Sequence, residues 1–188
     1  MHPRIAETLE YLDTERAELR QAIELVPRQL REQPPGTDRW SVAQVLGHLA
    51  LIESGIVKLL NKRIARAREE GLGPELETSS IINSINVARI IDRSRRVTAP
   101  EAIRPPSDAE AASAWTALEQ SRSALRAAVL TGDGLALGDV MHHHPVLGEI
   151  NLYQWILFVG GHEQRHTAQI REIADQLNPV SNQASGAN

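Results

Sequence analysis

The chain has 188 residues, of which 41% are hydrophobic and 23% charged, and its formal net charge is −4. A chain of this length is typical of one ordinary soluble domain, and the absence of cysteine excludes disulfides, thiolate metal sites and a cysteine nucleophile. The negative net charge gives no general basic field for nucleic acid, and the apolar run at residues 155–159 is far too short to span a membrane.

The first helix is predicted over residues 4–25, because apolar residues recur every three or four positions until Pro27. Arg16 interrupts this apolar face once. The second helix begins after Ser41, which forms a capping-box pattern with Gln44, and ends before Gly71. Its apolar face runs from Val42 to Leu59.

The remainder of the chain predicts two more long helices. Residues 71–106 are less regular and contain one short helical segment, 80–91. A helix follows Ser107 or Asp108 as its cap and ends near residue 131, and the last helix runs from about Asn151 to Leu177. No segment alternates with period two long enough to predict a sheet.

These elements predict an all-α four-helix bundle, either up-and-down or with one long crossover. We expect one domain over residues 1–178 and a flexible tail over residues 179–188, whose composition is polar. The first ten residues lack the basic-then-apolar pattern of a secretory signal, so we expect a cytoplasmic protein.

Two histidines occupy positions on the last helix where apolar residues are expected. His162 and His166 are four residues apart, so both lie on the apolar face and one turn apart along the helix. A buried imidazole without a partner costs about 1–3 kcal/mol, and a shared metal ion would supply that partner. His48, at the border of the apolar face of the second helix, is the third candidate ligand. Three histidines would leave coordination positions open, as in catalytic sites.

Three segments of the chain resemble the DinB-like (DinB/YfiT) superfamily. They are WSVAQVLGHL at residues 40–49, HPVLG at residues 144–148 and HEQRHTAQI at residues 162–170. The resemblance implies a four-helix bundle with a three-histidine site for a divalent metal such as zinc or nickel, with His48, His162 and His166 as ligands. Such a site also accepts manganese or iron.

The resemblance also implies an activity, because characterised relatives are often metal-dependent transferases or isomerases that use low-molecular-weight thiols. This chain has no cysteine, so the thiol would be a cofactor. The sequence therefore predicts an enzyme in which the metal activates a thiol or water toward a small electrophilic substrate, by transfer or hydrolysis. Two alternatives stay open: a non-catalytic metal-binding bundle in stress response or protein interaction, and a metal-free bundle with hydrogen-bonded core histidines.

The pair His162 and Glu163 also begins an H-E-x-x-H pattern, in which zinc proteases use the glutamate as a general base. The longer H-x-x-G-x-x-H extension is absent, and Glu172 follows too closely to be the usual third ligand. We therefore disfavour a protease. Glu163 is kept as a candidate base, although a solvated residue on the helix surface is the simpler interpretation.

Three further positions are candidates without a firm role. His144 follows His142 and His143 and could line the pocket or complete the metal shell, although a polar loop is the simpler interpretation of all three. Arg165 is a candidate for binding an anionic substrate or forming a surface salt bridge, and Gln169 for orienting a ligand histidine.

The expected partner is a small-molecule substrate. Residues 58–104 contain ten basic and six acidic residues, but no aromatic residues are interleaved with them, so we expect no nucleic-acid binding. A homodimer is the expected assembly, from the frequency of dimers alone.

Overall fold

The computed structural model describes residues 1–94 and 100–178, so the predicted flexible tail lies outside the described residues. Within them the chain forms five helices and one β-hairpin. The helices are α1 (Pro3–Glu24), α2 (Val42–Glu69), α3 (Val87–Ile91), α4 (Ala111–Thr131) and α5 (Leu152–Leu177), and the hairpin pairs β1 (Met141–His144) with β2 (Gly148–Asn151). The prediction of an all-α four-helix bundle is confirmed.

The starts of two long helices are defined by capping boxes. Ser41 and Gln44 exchange side-chain-to-backbone hydrogen bonds at the start of α2, as the sequence predicts, and Asn151 and Gln154 do the same for α5. The predicted cap of α4 is wrong: the helix begins at Ala111, whose backbone N–H donates to the Glu32 carboxylate from another part of the chain. A partner distant in sequence therefore sets this helix start.

The chain between α2 and α4 is more broken than the predicted helix 80–91. A 3₁₀ turn, Ile82–Ser84, precedes α3, and a second turn, Glu101–Ile103, lies before α4. α3 packs against α5. This connection thus supplies both a short helix and a turn to the surface of the bundle.

The hairpin contradicts the expectation of a chain without strands. β1 and β2 are antiparallel, with Met141 opposite Asn151 and His144 opposite Gly148. Gly148 has φ 79°, a backbone conformation that residues with a Cβ rarely adopt, and it closes the tight turn. Each strand has only four residues, which is too few for a periodic pattern to be recognised.

The four long helices pack in two main pairs, the first with the last (α1 with α5) and the middle two with each other (α2 with α4), while α2 also contacts α5. The buried apolar residues form two separate clusters. One contains Leu12, Ile56 and Leu125, and the other contains Leu19 and Leu46.

A level of buried charged residues separates the two apolar clusters, and each long helix contributes one residue to it. We call this set the polar layer; its members are Arg16, Glu53, Arg122 and Glu163. Their side chains are 2–9% exposed. The interruption of the first apolar face at Arg16 is thus part of a feature that crosses the whole bundle.

α2 is the one described helix that is long and apolar enough to cross a membrane, and 56% of its apolar window is buried inside the bundle. This burial is typical of the core helix of a soluble protein. Length and composition alone are weak evidence for a membrane span.

Candidate metal centre

Helices α2 and α5 bring the three predicted histidines together at the level next to the polar layer. The Nε2 atom of His162 lies 3.4 Å from Nε2 of His48 and 3.2 Å from Nε2 of His166. One nitrogen from each ring lies within 4.8 Å of both others. Among the described residues this is the one group of three or more histidine, aspartate or glutamate side chains arranged to hold a metal ion.

Two of the rings are fixed in orientation by hydrogen bonds at the opposite nitrogen. His48 Nδ1 donates to the Ile103 carbonyl at 2.8 Å, and His166 Nδ1 donates to Gln169 Oε1 at 2.8 Å. Because a neutral imidazole carries one proton, both Nε2 atoms then present a lone pair to the centre of the cluster. Metal-binding histidines have this arrangement, in which an outer partner fixes the tautomer and the ring orientation.

The surroundings of the rings favour the neutral imidazole. Burial lowers the pKa of His48, and it lowers the pKa of His166 to about 3. Burial, with the neighbouring His166 and His48 rings, lowers the pKa of His162 well below its ordinary value. Since a neutral ring is the form that binds a metal, the cluster is ready for an ion at neutral pH without losing protons.

The spacing of the Nε2 atoms fits a single ion. Two nitrogens bound to zinc at about 2.0–2.1 Å with tetrahedral angles are about 3.3 Å apart, and the distances from His162 Nε2 to the other two Nε2 atoms, 3.4 and 3.2 Å, lie on either side of this value. Three imidazole donors suit zinc, nickel, iron and copper better than magnesium or calcium, which prefer oxygen. The donor set therefore fits a divalent transition metal.

Aromatic rings border the histidines. The Trp40 ring lies 5.0 Å from the His48 ring, and Phe158 is stacked on His162 with ring centroids 5.4 Å apart. Trp40, Phe158 and His162 are partly exposed, whereas His48 and His166 are buried. His162 is therefore the most exposed of the three histidines.

The histidines of the hairpin do not join the cluster. His144 is buried against Phe158, which in turn stacks on His162, and the His144 and Phe158 ring centroids are 4.4 Å apart. Its Nδ1 accepts hydrogen bonds from the backbone N–H groups of Val146 and Leu147. Burial lowers its pKa to about 4. This histidine thus holds the turn of the hairpin and forms part of the wall behind Phe158.

The neighbouring histidines bond to other groups. His142 Nδ1 accepts from Arg63 at 2.6 Å, and the exposed His143 lies 3.1 Å from Glu149. Burial, followed by the charge of Arg63, lowers the pKa of His142. The interpretation of these residues as a polar loop is wrong, because they form β1.

The remaining candidates on α5 have clear neighbours. Gln169 bonds to His166, whereas Arg165 donates to the main-chain carbonyls of Ile90 and Asp92 and so fastens the end of α3 to α5. Glu163 is only 2% exposed, and its two carboxylate oxygens accept from Arg16 and Arg122. The interpretation of Glu163 as a solvated surface residue is therefore wrong.

Sequence reasoning missed most of the polar layer. The signal was a charged residue at a core position in each long helix: Arg16 interrupts one apolar face, and Glu53 lies between Ile52 and Ile56 on another. Nothing local in the sequence shows that such residues from four helices face one another. The hydrogen bond from His48 to the Ile103 carbonyl could not be predicted either, because a backbone acceptor has no sequence signature.

Comparisons with known proteins identify the family of the chain. The family model of the DinB superfamily matches residues 11–170. YuaE, an uncharacterized protein of Bacillus subtilis (strain 168), is 32% identical over 146 residues, which cover 77% of this chain and 83% of the relative. No solved structure matches the chain with significance. With most of its length matched by the family model, the chain belongs to the DinB superfamily.

Proposed function

We propose that this protein is a metal-dependent enzyme in which His48, His162 and His166 bind one divalent ion, with zinc or nickel as the first candidates. The observation that carries the proposal is the convergence of three Nε2 atoms, two of which have their lone pairs oriented by the hydrogen bonds of His48 to the Ile103 carbonyl and of His166 to Gln169. Superfamily membership supports it.

The donor set also suggests which chemistry the site supports. Three neutral imidazoles leave the full charge of a divalent ion in place, so an anionic ligand is favoured at the remaining positions. A divalent ion lowers the pKa of a thiol or a water molecule that coordinates it, which provides a nucleophile near neutral pH. Because the chain has no cysteine, the thiol would be a low-molecular-weight cofactor.

The chain's own residues would orient and shield this nucleophile. Trp40 and Phe158 flank the histidines and would reduce the access of bulk water. No carboxylate joins the three histidines in the described cluster, and we propose that a second thiol or water moves the proton. We propose a small electrophilic molecule as substrate and the cytoplasm as the place of action.

Elemental analysis of tag-free protein tests the metal site. We expect close to one divalent ion per chain in the parent and loss of the ion in a His162→Ala/His166→Ala variant. A His142→Ala/His143→Ala variant is the matched control, because it removes two histidines outside the cluster and should keep the ion. Parent protein that contains no metal and cannot be loaded with zinc, nickel or manganese would refute the site.

Turnover of model electrophiles with common low-molecular-weight thiols then tests the activity. We expect metal-loaded parent protein to be faster than the His166→Ala variant by at least tenfold. Equal rates for the two proteins would refute a metal-dependent thiol transferase, and the same comparison without thiol would test hydrolysis.

A non-catalytic metal-binding bundle is the second candidate, because His48 and His166 are buried and only His162 is partly exposed. The two candidates differ in whether small ligands reach the ion. Cobalt-loaded protein whose visible spectrum changes on adding a thiol supports the enzyme. A spectrum that does not change on adding thiols or anions supports the non-catalytic bundle, in which small ligands do not reach the ion.

A further inference from the structure

We propose that the polar layer is a positioning device for the metal centre, which holds α2 and α5 in the register that brings His48 to His162. The inference rests on the proposed metal site. It concerns Arg16, Glu53, Arg122 and Glu163, which are not ligands themselves.

The four side chains form a closed ring of hydrogen bonds. Arg16 bonds to Glu163 at 2.5 Å through Nε and to Glu53 at 3.1 Å through Nη2. Arg122 bonds to Glu53 at 2.7 Å through Nε and to Glu163 at 2.7 Å through Nη2. Each carboxylate oxygen accepts a hydrogen bond from one of the two arginines, so the ring links all four long helices.

Backbone and hydroxyl contacts tie the ring to the helices. Arg122 Nη1 donates to the Leu12 carbonyl at 2.6 Å, and Arg16 Nη1 donates to the Leu118 carbonyl at 3.3 Å. Ser121 also donates to Glu53 at 3.1 Å. A planar guanidinium has a fixed arrangement of donors, so sliding one helix along another would break several of these bonds together.

The ring adjoins the histidines directly. Glu163 is the residue after His162 on α5, and Glu53 lies five residues after His48 on α2. A small cavity is lined by His162 together with three members of the layer: Glu53, Arg122 and Glu163. The two glutamates are therefore on the two helices that carry the ligands, whereas the arginines come from α1 and α4, which carry none.

Stability alone is a poor explanation of this arrangement. Removing charges from water costs free energy, and buried ion-pair networks can often be replaced by apolar side chains without loss of stability. The two apolar clusters on either side could have been one continuous core. A register function explains why the layer lies next to the histidines, where a small shift between α2 and α5 would separate the Nε2 atoms.

The experiment replaces the whole layer, so that no buried charge is left without a partner. The variant is Arg16→Met/Glu53→Leu/Arg122→Met/Glu163→Leu, and circular dichroism with urea denaturation checks its helix content and cooperativity. Cobalt titration measures the dissociation constant, and the visible absorption bands of the bound ion report its coordination geometry. We expect a folded protein whose dissociation constant rises at least tenfold and whose bands shift.

The matched control is Asp13→Ala/Arg126→Ala, which removes an exposed ion pair that also links α1 to α4. It should keep the parental dissociation constant and spectrum. A folded fourfold variant that binds cobalt like the parent would overturn the positioning function while leaving the metal site intact. A parent that binds no cobalt would instead refute the metal site, and the inference with it.

If the fourfold variant does not fold, Arg122→Lys replaces it in the comparison. Lysine keeps the positive charge but cannot bridge both glutamates with the geometry of a guanidinium. We expect the cobalt dissociation constant to rise at least tenfold with shifted bands, and parental binding by this variant would overturn the proposal.

Discussion

At the scale of single residues, Tyr11 has a buried hydroxyl with no hydrogen-bond partner among the described residues. An unpaired buried hydroxyl costs about 1–3 kcal/mol. Tyr11→Phe keeps the ring and removes the hydroxyl, so we expect the free energy of unfolding to rise by about 1 kcal/mol. Urea denaturation measures this change.

The control for that substitution is Tyr153→Phe. The Tyr153 hydroxyl donates to the Leu135 carbonyl at 3.5 Å, so its removal should leave stability unchanged or lower it. A Tyr11→Phe protein that is less stable than the parent would show that the hydroxyl has a favourable partner in solution.

Glu15 on α1 should make stability depend on pH. Burial, with the charges of Glu163 and Glu18, raises its pKa from 4.5 to about 7. The folded state therefore disfavours the charged form: the destabilisation is absent below pH 4.5, grows from pH 4.5 to 7 and is complete above pH 7. We expect Glu15→Gln to raise the free energy of unfolding by about 1–2 kcal/mol at pH 8 and by much less at pH 5.

Urea denaturation at the two pH values tests this expectation. Glu10→Gln is the control, since it removes an exposed glutamate from the same helix. A Glu15→Gln protein with the same stability gain at both pH values would contradict the expectation that ionisation is the cause.

At the scale of the elements, α1 and α5 approach closely at Gly160. A Cβ added there would overlap Cε1 of the Tyr11 ring, closer than real Cβ atoms come to any non-bonded neighbour. We expect Gly160→Ala to lower the free energy of unfolding by about 1–3 kcal/mol, because the Tyr11 ring has to move in a packed interior.

Gly55 provides the matched substitution. It lies inside α2, and a Cβ there would meet no atom within 4 Å. Gly55→Ala should raise the free energy of unfolding by about 0.5–1 kcal/mol, since alanine is the better helix former. Thermal or urea denaturation of both variants tests the pair, and a Gly160→Ala protein as stable as Gly55→Ala would rule out the close approach.

The long helices could be predicted because their signals are local. Ser41 with Gln44 marks the start of α2, and the spacing of His162 and His166 places two imidazoles on one face. The start of α4 could not be predicted, because Glu32 bonds to it from a distant position in the sequence. The hairpin could not be predicted either, because each strand has only four residues. Local rules predict elements; contacts between distant residues fix their exact ends.

The candidate site shows the same division. The three histidines could be proposed from their positions on apolar faces, and the structure brings them within 4.8 Å of one another. The ring of Arg16, Arg122 and the two glutamates depends on the relative heights of four helices, which no single segment of sequence specifies. The burial of Glu163 against Arg16 and Arg122 is therefore not predicted by its own helix.

At the scale of the whole molecule, metal binding should stabilise the fold. The ligands come from two helices, so unfolding separates them and the ion binds the native state preferentially. Free zinc at 100 times its dissociation constant should raise the free energy of unfolding by about 2.7 kcal/mol, which for a protein of this size raises the melting temperature by about 5–10 °C.

Calorimetry or a fluorescence melt with and without zinc measures the shift. The His162→Ala/His166→Ala variant should show none, because too few donors remain. A parent whose melting temperature does not respond to zinc, nickel or a chelator would contradict a site shared between α2 and α5.

The bond from His48 to the Ile103 carbonyl has a wider consequence. Ile103 belongs to a turn in the connection before α4, so one ligand ring is oriented by backbone that lies outside the long helices. An ion bound at Nε2 strengthens the hydrogen bond that Nδ1 donates to the Ile103 carbonyl. By thermodynamic reciprocity, an ordered connection increases the affinity of the site for the ion. Proteolysis within residues 100–110 should therefore slow when the ion binds, and a cleaved chain should release its ion more readily.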